Sequence, residues 1–152
     1  MDAPPPALAG ARVLSYAIVD ASVEYTGTER INVGGVWIGA QPALAICESL
    51  RDREIMLLRC NEDWEVVSCA SCESIEEARD DAERYYRGVS RLWTDRGVSR
   101  EEAEAFDRER WGELVCSFCD RTPDHFDKIV TAADGGASIC NECVARVREL
   151  MG

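Results

Sequence analysis

Apolar residues alternate with polar ones, or form short runs, through the first half of the chain, and turn residues separate these stretches. Runs of this kind that are rich in valine, isoleucine and aromatic residues predict β-strands. The stretches concerned are residues 12–25, 29–38, 43–47, 54–60 and 64–70. The second stretch is expected to be the return strand of the first, and Gly34 and Gly35 interrupt it, which indicates a bulge or a further turn. Because Asn61, Glu62 and Asp63 form a polar turn between the last two stretches, those two predict a β-hairpin.

A capping box predicts a helix that begins after Ser74. The Ser74 hydroxyl can accept from the Glu77 N–H while the Glu77 side chain reaches back, which satisfies two free donors of the first turn. The helix is expected to run to about Arg87, with Gly88 as the residue that follows its carboxyl end. Its inner face carries apolar residues at helical spacing, namely Ile75, Ala78, Ala82 and Tyr85.

A second capping box, formed by Ser99 and Glu102, predicts a helix that ends near Trp111 and Gly112. Its surface is strongly charged, and only a few apolar residues interrupt that surface, namely Ala103, Phe106 and Trp111. A helix with so narrow an apolar face suits a connector between a core domain and the segment that follows.

The composition is that of a soluble globular protein with a marked acidic excess. Hydrophobic residues make up 46% and charged residues 30%, and 29 acidic against 17 basic residues give a net charge of −12. From residue 113 onward seven acids and four bases give −3, so residues 1–112 carry the remaining −9. Nucleic-acid affinity depends on cationic neutralisation of phosphates, so this charge makes a DNA- or RNA-binding protein a poor hypothesis.

Two Cys-x-x-Cys pairs are the most specific feature of the sequence. Cys116 and Cys119 form the first pair, and twenty residues later Cys140 and Cys143 form the second. Each pair can chelate one side of a tetrahedral ion, and structural zinc sites are commonly built from four cysteines with no open position. The four cysteines therefore predict one structural Zn²⁺ per chain, although a single iron ion could use the same sulfur ligands.

The residues around the cysteines predict a treble-clef-like finger. Leu114 and Val115 suit a short strand that enters the first metal knuckle, and residues 137–139 suit a second strand after a glycine turn. From Asn141 onward apolar residues recur at helical spacing, so the second cysteine pair is expected at a helix N-terminus.

The predicted fold class is α+β: an antiparallel β meander with a covering helix, then a connecting helix and a treble-clef-like zinc finger. The predicted units are a disordered Pro- and Ala-rich tail at residues 1–11, an α+β domain at 12–98, the connecting helix at 99–112 and the zinc-binding domain at 113–152.

The finger resembles a known family. The segment LVCSFCDRTPDHFDKIVTAADGGASICNECVARVREL, residues 114–150, is similar to the amino-terminal zinc-binding domain of ClpX, the unfoldase partner of a bacterial protease. The matching features are Cys-Ser-Phe-Cys, the strand at Lys128, Ile129 and Val130, and Ile-Cys-Asn-Glu-Cys before an apolar helix. This resemblance implies homodimerisation through the finger and binding of substrates or adaptor proteins. Here the segment between the pairs is slightly longer, and the finger follows the other domain.

The remaining cysteines suggest two further hypotheses. Cys47, Cys60, Cys69 and Cys72 could form a second metal site, but the predicted hairpin separates Cys60 from Cys69 by about 13 Å at about 3.4 Å per residue. Cys69 and Cys72 could instead form a redox dithiol ahead of the Ser74 helix, where a thiol pKa can be lowered. Buried or incidental cysteines are the preferred interpretation. His125, the single histidine, is expected to be an exposed loop residue of the finger.

These observations predict a non-enzymatic, zinc-binding interaction protein. A P-loop, which binds phosphate, requires a lysine within a glycine-rich motif, and Lys128, the single lysine, does not lie in such a motif. The finger is therefore expected here without the ATPase that normally follows it. The expected partners are a second copy of the chain, joined at the finger, and a protein or adaptor, with no nucleic acid and no membrane. Eight cysteines without an export signal indicate a cytoplasmic protein. The alternative is a redox or other enzyme with a dithiol at Cys69 and Cys72.

Overall fold

The computed structural model describes residues 1–152, apart from the side chain of Glu113. The strands are β1 (Ala7–Leu8), β2 (Ala11–Ile18), β3 (Glu24–Tyr25), β4 (Ile31–Val33), β5 (Val36–Ile38), β6 (Ala43–Ser49), β7 (Ile55–Cys60), β8 (Val66–Cys72), β9 (Tyr86–Arg87), β10 (Thr94–Asp95), β11 (Ile129–Thr131) and β12 (Ser138–Cys140). The helices are α1 (Ile75–Tyr85), α2 (Arg100–Trp111) and α3 (Asn141–Met151).

The main sheet is antiparallel and has the strand order β1-β2-β6-β7-β8, with β10 also paired to β2. Consecutive strands β6, β7 and β8 form a meander, and the predicted hairpin around Asn61 joins β7 to β8. The partner of β2 is β6, not the stretch at residues 29–38, because that stretch folds back on itself as the separate hairpin β4–β5 around Gly34 and Gly35. The α+β class and the meander are confirmed.

The sheet buries residues on both of its faces. Ala43, Ala45 and Cys47 of β6 face a cluster that contains Trp64, whereas Leu44 and Ile46 face the cluster beneath α1. In β2 a β-bulge between Val13 and Ser15 shifts the register, so that the strand changes which residues face which cluster. Apolar residues on both faces explain why β6 is a continuous run in the sequence instead of an alternation.

Helix α1 begins as predicted, with the Ser74 hydroxyl accepting from the Glu77 N–H at 3.1 Å. The Glu77 carboxylate reaches back to the N–H of Glu73, one residue earlier than the capping box predicts. The helix ends at Tyr85 instead of Arg87, because Tyr86 and Arg87 pair with β3 as a short strand. Gly88, with a φ of 95°, follows that strand and begins a 3-10 turn.

The prediction of a disordered tail is wrong for the residues next to the sheet. Ala7 and Leu8 form β1 and are buried, and the backbone of residues 2–6 is hydrogen-bonded to the domain. Composition alone could not reveal this, since a Pro- and Ala-rich segment has little tendency to form structure by itself.

Helix α2 begins with the predicted cap, in which the Ser99 hydroxyl accepts from the Glu102 N–H at 3.1 Å. Its narrow apolar face packs through Ala103 and Phe106 against Ala7, Leu50 and Val98. The helix thereby contacts β1 and β2 and carries the chain from the sheet into the finger.

Candidate metal centre

The first cysteine pair lies in a tight knuckle after α2. Cys116 N–H donates to the Arg121 carbonyl at 2.9 Å, and its own carbonyl accepts from the Asp120 N–H at 2.9 Å. Ser117 N–H donates to the Ser138 carbonyl at 2.8 Å and ties this knuckle to the second pair. The strand predicted at Leu114 and Val115 is not formed, because residues 112–114 adopt a 3-10 turn that brings the chain out of α2.

The second pair lies where strand β12 meets helix α3. β12 pairs with β11 in the predicted hairpin, with Cys140 opposite Ile129. Cys140 caps α3, and its sulfur accepts from the N–H of Cys143 at 3.4 Å. A knuckle, a hairpin and a helix that carries the second pair confirm the treble-clef-like prediction, and the hairpin and helix lie where the sequence placed them.

The four sulfurs are close enough to share one ion. They lie within 4.8 Å of one another, with Cys116 and Cys143 Sγ 3.9 Å apart and Cys119 and Cys140 Sγ also 3.9 Å apart. A tetrahedron of sulfurs about 2.3 Å from zinc has edges of about 3.8 Å, so the geometry fits a four-sulfur site. Three of the cysteines are buried and Cys119 is half-buried. Four sulfur ligands complete a tetrahedral zinc site, as in structural zinc centres. Among the described residues no other group of cysteine, histidine and acidic side chains is placed to hold a metal ion.

Hydrogen bonds to sulfur prepare the site for a cation. Burial alone raises the pKa of Cys116, but N–H groups of Cys140, Phe118 and Cys119 donate to its sulfur and lower the pKa to about 6. The Cys140 N–H lies 3.3 Å from this sulfur. Burial raises the pKa of Cys143 to about 12, and the neighbouring thiols add to that effect. Burial also raises the pKa of Cys119, and the Arg121 N–H lowers it in part. Zinc binding would therefore expel protons, as expected for a site whose metal contributes to folding.

A polar cluster joins the finger to α2. The Thr122 hydroxyl donates to Asp107 Oδ2 at 2.6 Å, and Trp111 Nε1–H donates to Asp124 Oδ2 at 2.8 Å. Asp107 and Thr122 are both buried. His125 Nδ1 lies 3.1 Å from the Thr122 oxygen, so His125 is a half-buried member of this cluster instead of the exposed loop residue that was predicted. The sequence carries no signal for the cluster, because its members come from segments fifteen residues apart and resemble ordinary surface residues.

The other four cysteines do not converge. Cys47 and Cys60 are buried on the Trp64 side of the sheet, where burial raises the pKa of Cys60 to about 12 and that of Cys47 well above its ordinary value. Cys69 is exposed and Cys72 is buried, three residues along one strand. An extended strand separates such residues by about 10 Å, beyond the Cα distance of about 4.4–6.8 Å that a disulfide requires. The strand thus argues against both a second metal site and a dithiol at Cys69 and Cys72.

Comparison with protein families agrees with the geometry. Residues 114–152 match the family described as the ClpX C4-type zinc finger, which confirms the resemblance and supports one structural Zn²⁺ on the four cysteines. No curated protein and no solved structure matches the chain. Within the described residues, each helix is too short or too polar to cross a membrane.

The apolar residues of the finger divide into two sets. Phe126, Ile129 and Ile139 pack around the cysteines and form the small core of the finger. A larger set remains exposed to solvent: Leu114, Phe118, Val130, Val144, Val147, Leu150 and Met151. Helix α2 does not cover this second set, so packing within one chain does not account for it.

Proposed function

We propose that the chain is a non-enzymatic, zinc-binding interaction protein whose finger pairs with a second copy through the exposed face of α3. The observation that carries the proposal is the exposure of Leu150 and Met151, which are 82% and 83% accessible. Val144 and Val147 are each 38% exposed on the same helix. Large apolar side chains in such a group usually mark an interface.

The arrangement of α3 supports a helix-to-helix contact. Residues at positions 144, 147, 150 and 151 recur at helical spacing and therefore lie along one side, with Arg146 and Arg148 at its two edges and Glu149 on the far side. Cys143 is the buried residue at the start of the helix, so α3 is held by the metal site and is otherwise available. A self-complementary apolar stripe is most simply covered by a two-fold related copy, the commonest symmetry of oligomers.

The same surface supports binding of a protein partner or adaptor. Phe118 in the knuckle is 66% exposed and Val130 in the hairpin is 67% exposed, which adds apolar surface beyond the helix. The net charge of −12 opposes binding of phosphates, so a protein is the better partner. We place the protein in the cytoplasm, because a four-thiolate zinc site is favoured by a reducing environment and none of the eight cysteines is in a disulfide.

Two matched substitutions on α3 test the dimer. Val147→Glu puts a charge into the apolar stripe, and Ala145→Glu puts the same charge on the same helix outside the stripe. Sedimentation equilibrium should show a dimer for the wild-type chain and for Ala145→Glu, and a monomer of 16.9 kDa for Val147→Glu. Zinc content should stay at about one equivalent in all three, since neither substitution touches a cysteine.

Two outcomes would refute the proposed dimer. One is a wild-type chain that sediments as a monomer at every concentration. The other is a dimer that Val147→Glu leaves intact, which would move the contact away from α3.

A further inference from the structure

Residues 1–6 lie against the sheet domain as an extended strap, held by the carbonyl groups of every second residue. Asp2 carbonyl accepts from Trp64 Nε1–H at 3.0 Å, and Pro4 carbonyl accepts from Arg96 Nε–H at 2.9 Å. Pro6 carbonyl accepts from the backbone N–H of Val13 at 3.1 Å. All three donors belong to the domain, and all three acceptors belong to the backbone of the strap.

Trp64, which donates to the strap, is itself packed against a second aromatic side chain. Tyr16 and Trp64 meet edge to face, with ring centroids 5.7 Å apart and an angle of 89° between planes. Trp64 is buried at the end of the β7–β8 turn and has a φ of 62°, a conformation that a bulky residue adopts rarely and that tends to occur at functional sites. The turn thus holds the indole N–H toward the strap despite its backbone strain.

The strap does not fill the space beside it. A cavity of about 430 Å³ opens next to Pro5 and Trp64, and its other walls are Ala7, Leu8, Ala9, Glu65, Val66, Phe106 and Arg110. Of the strap's own side chains only Pro4 is fully buried, while Met1, Asp2 and Ala3 are exposed. The groove therefore has room beside Pro5 for a side chain larger than a proline ring.

The recognition chemistry depends little on the strap's side chains. Prolines at positions 4, 5 and 6 have no N–H to donate, so a segment of this kind can be held only through its carbonyls and its ring surfaces. Aromatic-lined grooves are a recurring way to bind proline-rich segments, because such segments are already extended and lose little entropy on binding. Any extended proline-rich peptide meets the same three donors.

We propose that the groove at Trp64 and Arg96, where residues 1–6 lie, is a binding site for extended proline-rich peptides. Residues 1–6 occupy it as an intramolecular ligand, and a proline-rich segment of a partner protein displaces them. Because the strap is tethered, it competes at an effective concentration in the millimolar range, so the partner's segment binds the intact chain weakly until the strap is loosened.

A full-length variant with a loosened strap tests the proposal. Replacing Pro4, Pro5 and Pro6 by glycine keeps the carbonyls but raises the entropy that the free strap loses on binding, which should weaken its occupancy about tenfold or more. The probe is a peptide that copies residues 1–8, and the control peptide has glycine in place of its three prolines. Binding is followed by NMR through the indole N–H resonance of Trp64, which Trp64→Phe identifies by its disappearance.

The copied peptide should bind the loosened variant at least tenfold more tightly than the wild-type chain, and the glycine peptide should bind at least tenfold more weakly than the copied one. Arg96→Gln, added to the loosened variant, should weaken binding about tenfold while the remaining resonances stay dispersed. A folded loosened variant that shows no saturable shift with the copied peptide would overturn the proposal. Equal binding of the two peptides, or equal binding to the wild-type and loosened chains, would also overturn it.

Discussion

The sheet domain and the finger differ in the side chains that form their buried clusters. In the sheet domain, apolar side chains on both faces of β2, β6 and β7 form two buried clusters. In the finger, the buried cluster consists of Cys116, Cys140 and Cys143, with Phe126 as its one large side chain. A segment of this size buries too little apolar surface to fold unaided. The comparison indicates that apolar burial stabilises the sheet domain, whereas a bound metal must stabilise the finger.

The largest effect should follow removal of one sulfur from the finger. Cys140→Ser deletes a ligand and also the sulfur that caps α3, so zinc should be lost together with the folding free energy that it supplies, about 10 kcal/mol for structural zinc. In NMR spectra the resonances of residues 114–152 should collapse to unfolded positions, while those of the sheet domain stay dispersed. Metal analysis should fall from about one equivalent per chain to none.

Cys69→Ser is the matched control for that substitution, since Cys69 is exposed on β8 and lies outside the four-sulfur group. It should retain one equivalent of zinc and a folded finger. A finger that stays folded in Cys140→Ser without metal would contradict the comparison between the two regions. Two equivalents of zinc in the wild-type chain would support the second site at Cys47, Cys60, Cys69 and Cys72.

An intermediate effect should follow truncation of the sheet core. Val13→Ala removes two methyl groups from a fully buried position and should lower the free energy of unfolding of the sheet domain by about 2 kcal/mol. Val36→Ala makes the same change where the side chain is 63% exposed, and should change stability by less than about 0.5 kcal/mol. Urea denaturation followed by tryptophan fluorescence measures both. Equal effects of the two substitutions would show that the β2 core does not stabilise the domain in this way.

The sequence predicts the finger better than the sheet because its signals are local. The signals are spacings: two residues separate the cysteines of each pair, and a glutamate follows Ser74 and Ser99 three residues later. Each spacing specifies the geometry of a single turn of the chain. The four cysteines, the β11–β12 hairpin and the starts of all three helices follow from such signals. Local chemistry is sufficient wherever the residues that interact are close in sequence.

Contacts between distant segments could not be predicted in the same way. The pairing of β2 with β6 skips the hairpin at residues 31–38, and the pairing of β3 with β9 ends α1 early, because each depends on a segment far along the chain. Burial of residues 2–8 depends on Trp64 and Arg96, and burial of Asp107 depends on Thr122. A charged residue on a charged helix resembles a surface residue until its distant partner is known.

The smallest effect concerns Asp107, which lies where the two regions meet. Burial raises the pKa of this carboxyl, the nearby Asp124 carboxyl also raises it, and the Thr122 hydroxyl and His125 lower it in part. A folded pKa above the ordinary value of 3.8 means that ionisation of Asp107 is disfavoured in the folded state. The stability that the protonated carboxyl contributes is therefore fully present below pH 3.8 and is lost as the pH rises through the folded pKa. Asp107→Asn stays neutral and can still accept from Thr122, so the variant should gain stability relative to the wild-type chain as the pH rises.

Urea midpoints measured with saturating zinc at a series of pH values above 3.8 should therefore diverge in favour of Asp107→Asn as the pH rises. Asp80→Asn, at an exposed position of α1, removes the same formal charge and controls for the change in net charge. The exposed control should follow the wild-type chain at each pH, because loss of one surface charge has little effect on stability. Parallel curves for Asp107→Asn and the wild-type chain would mean that the carboxyl ionises without cost at the junction. In that case the Thr122 hydrogen bond, and not protonation of the Asp107 carboxyl, would hold the finger against α2.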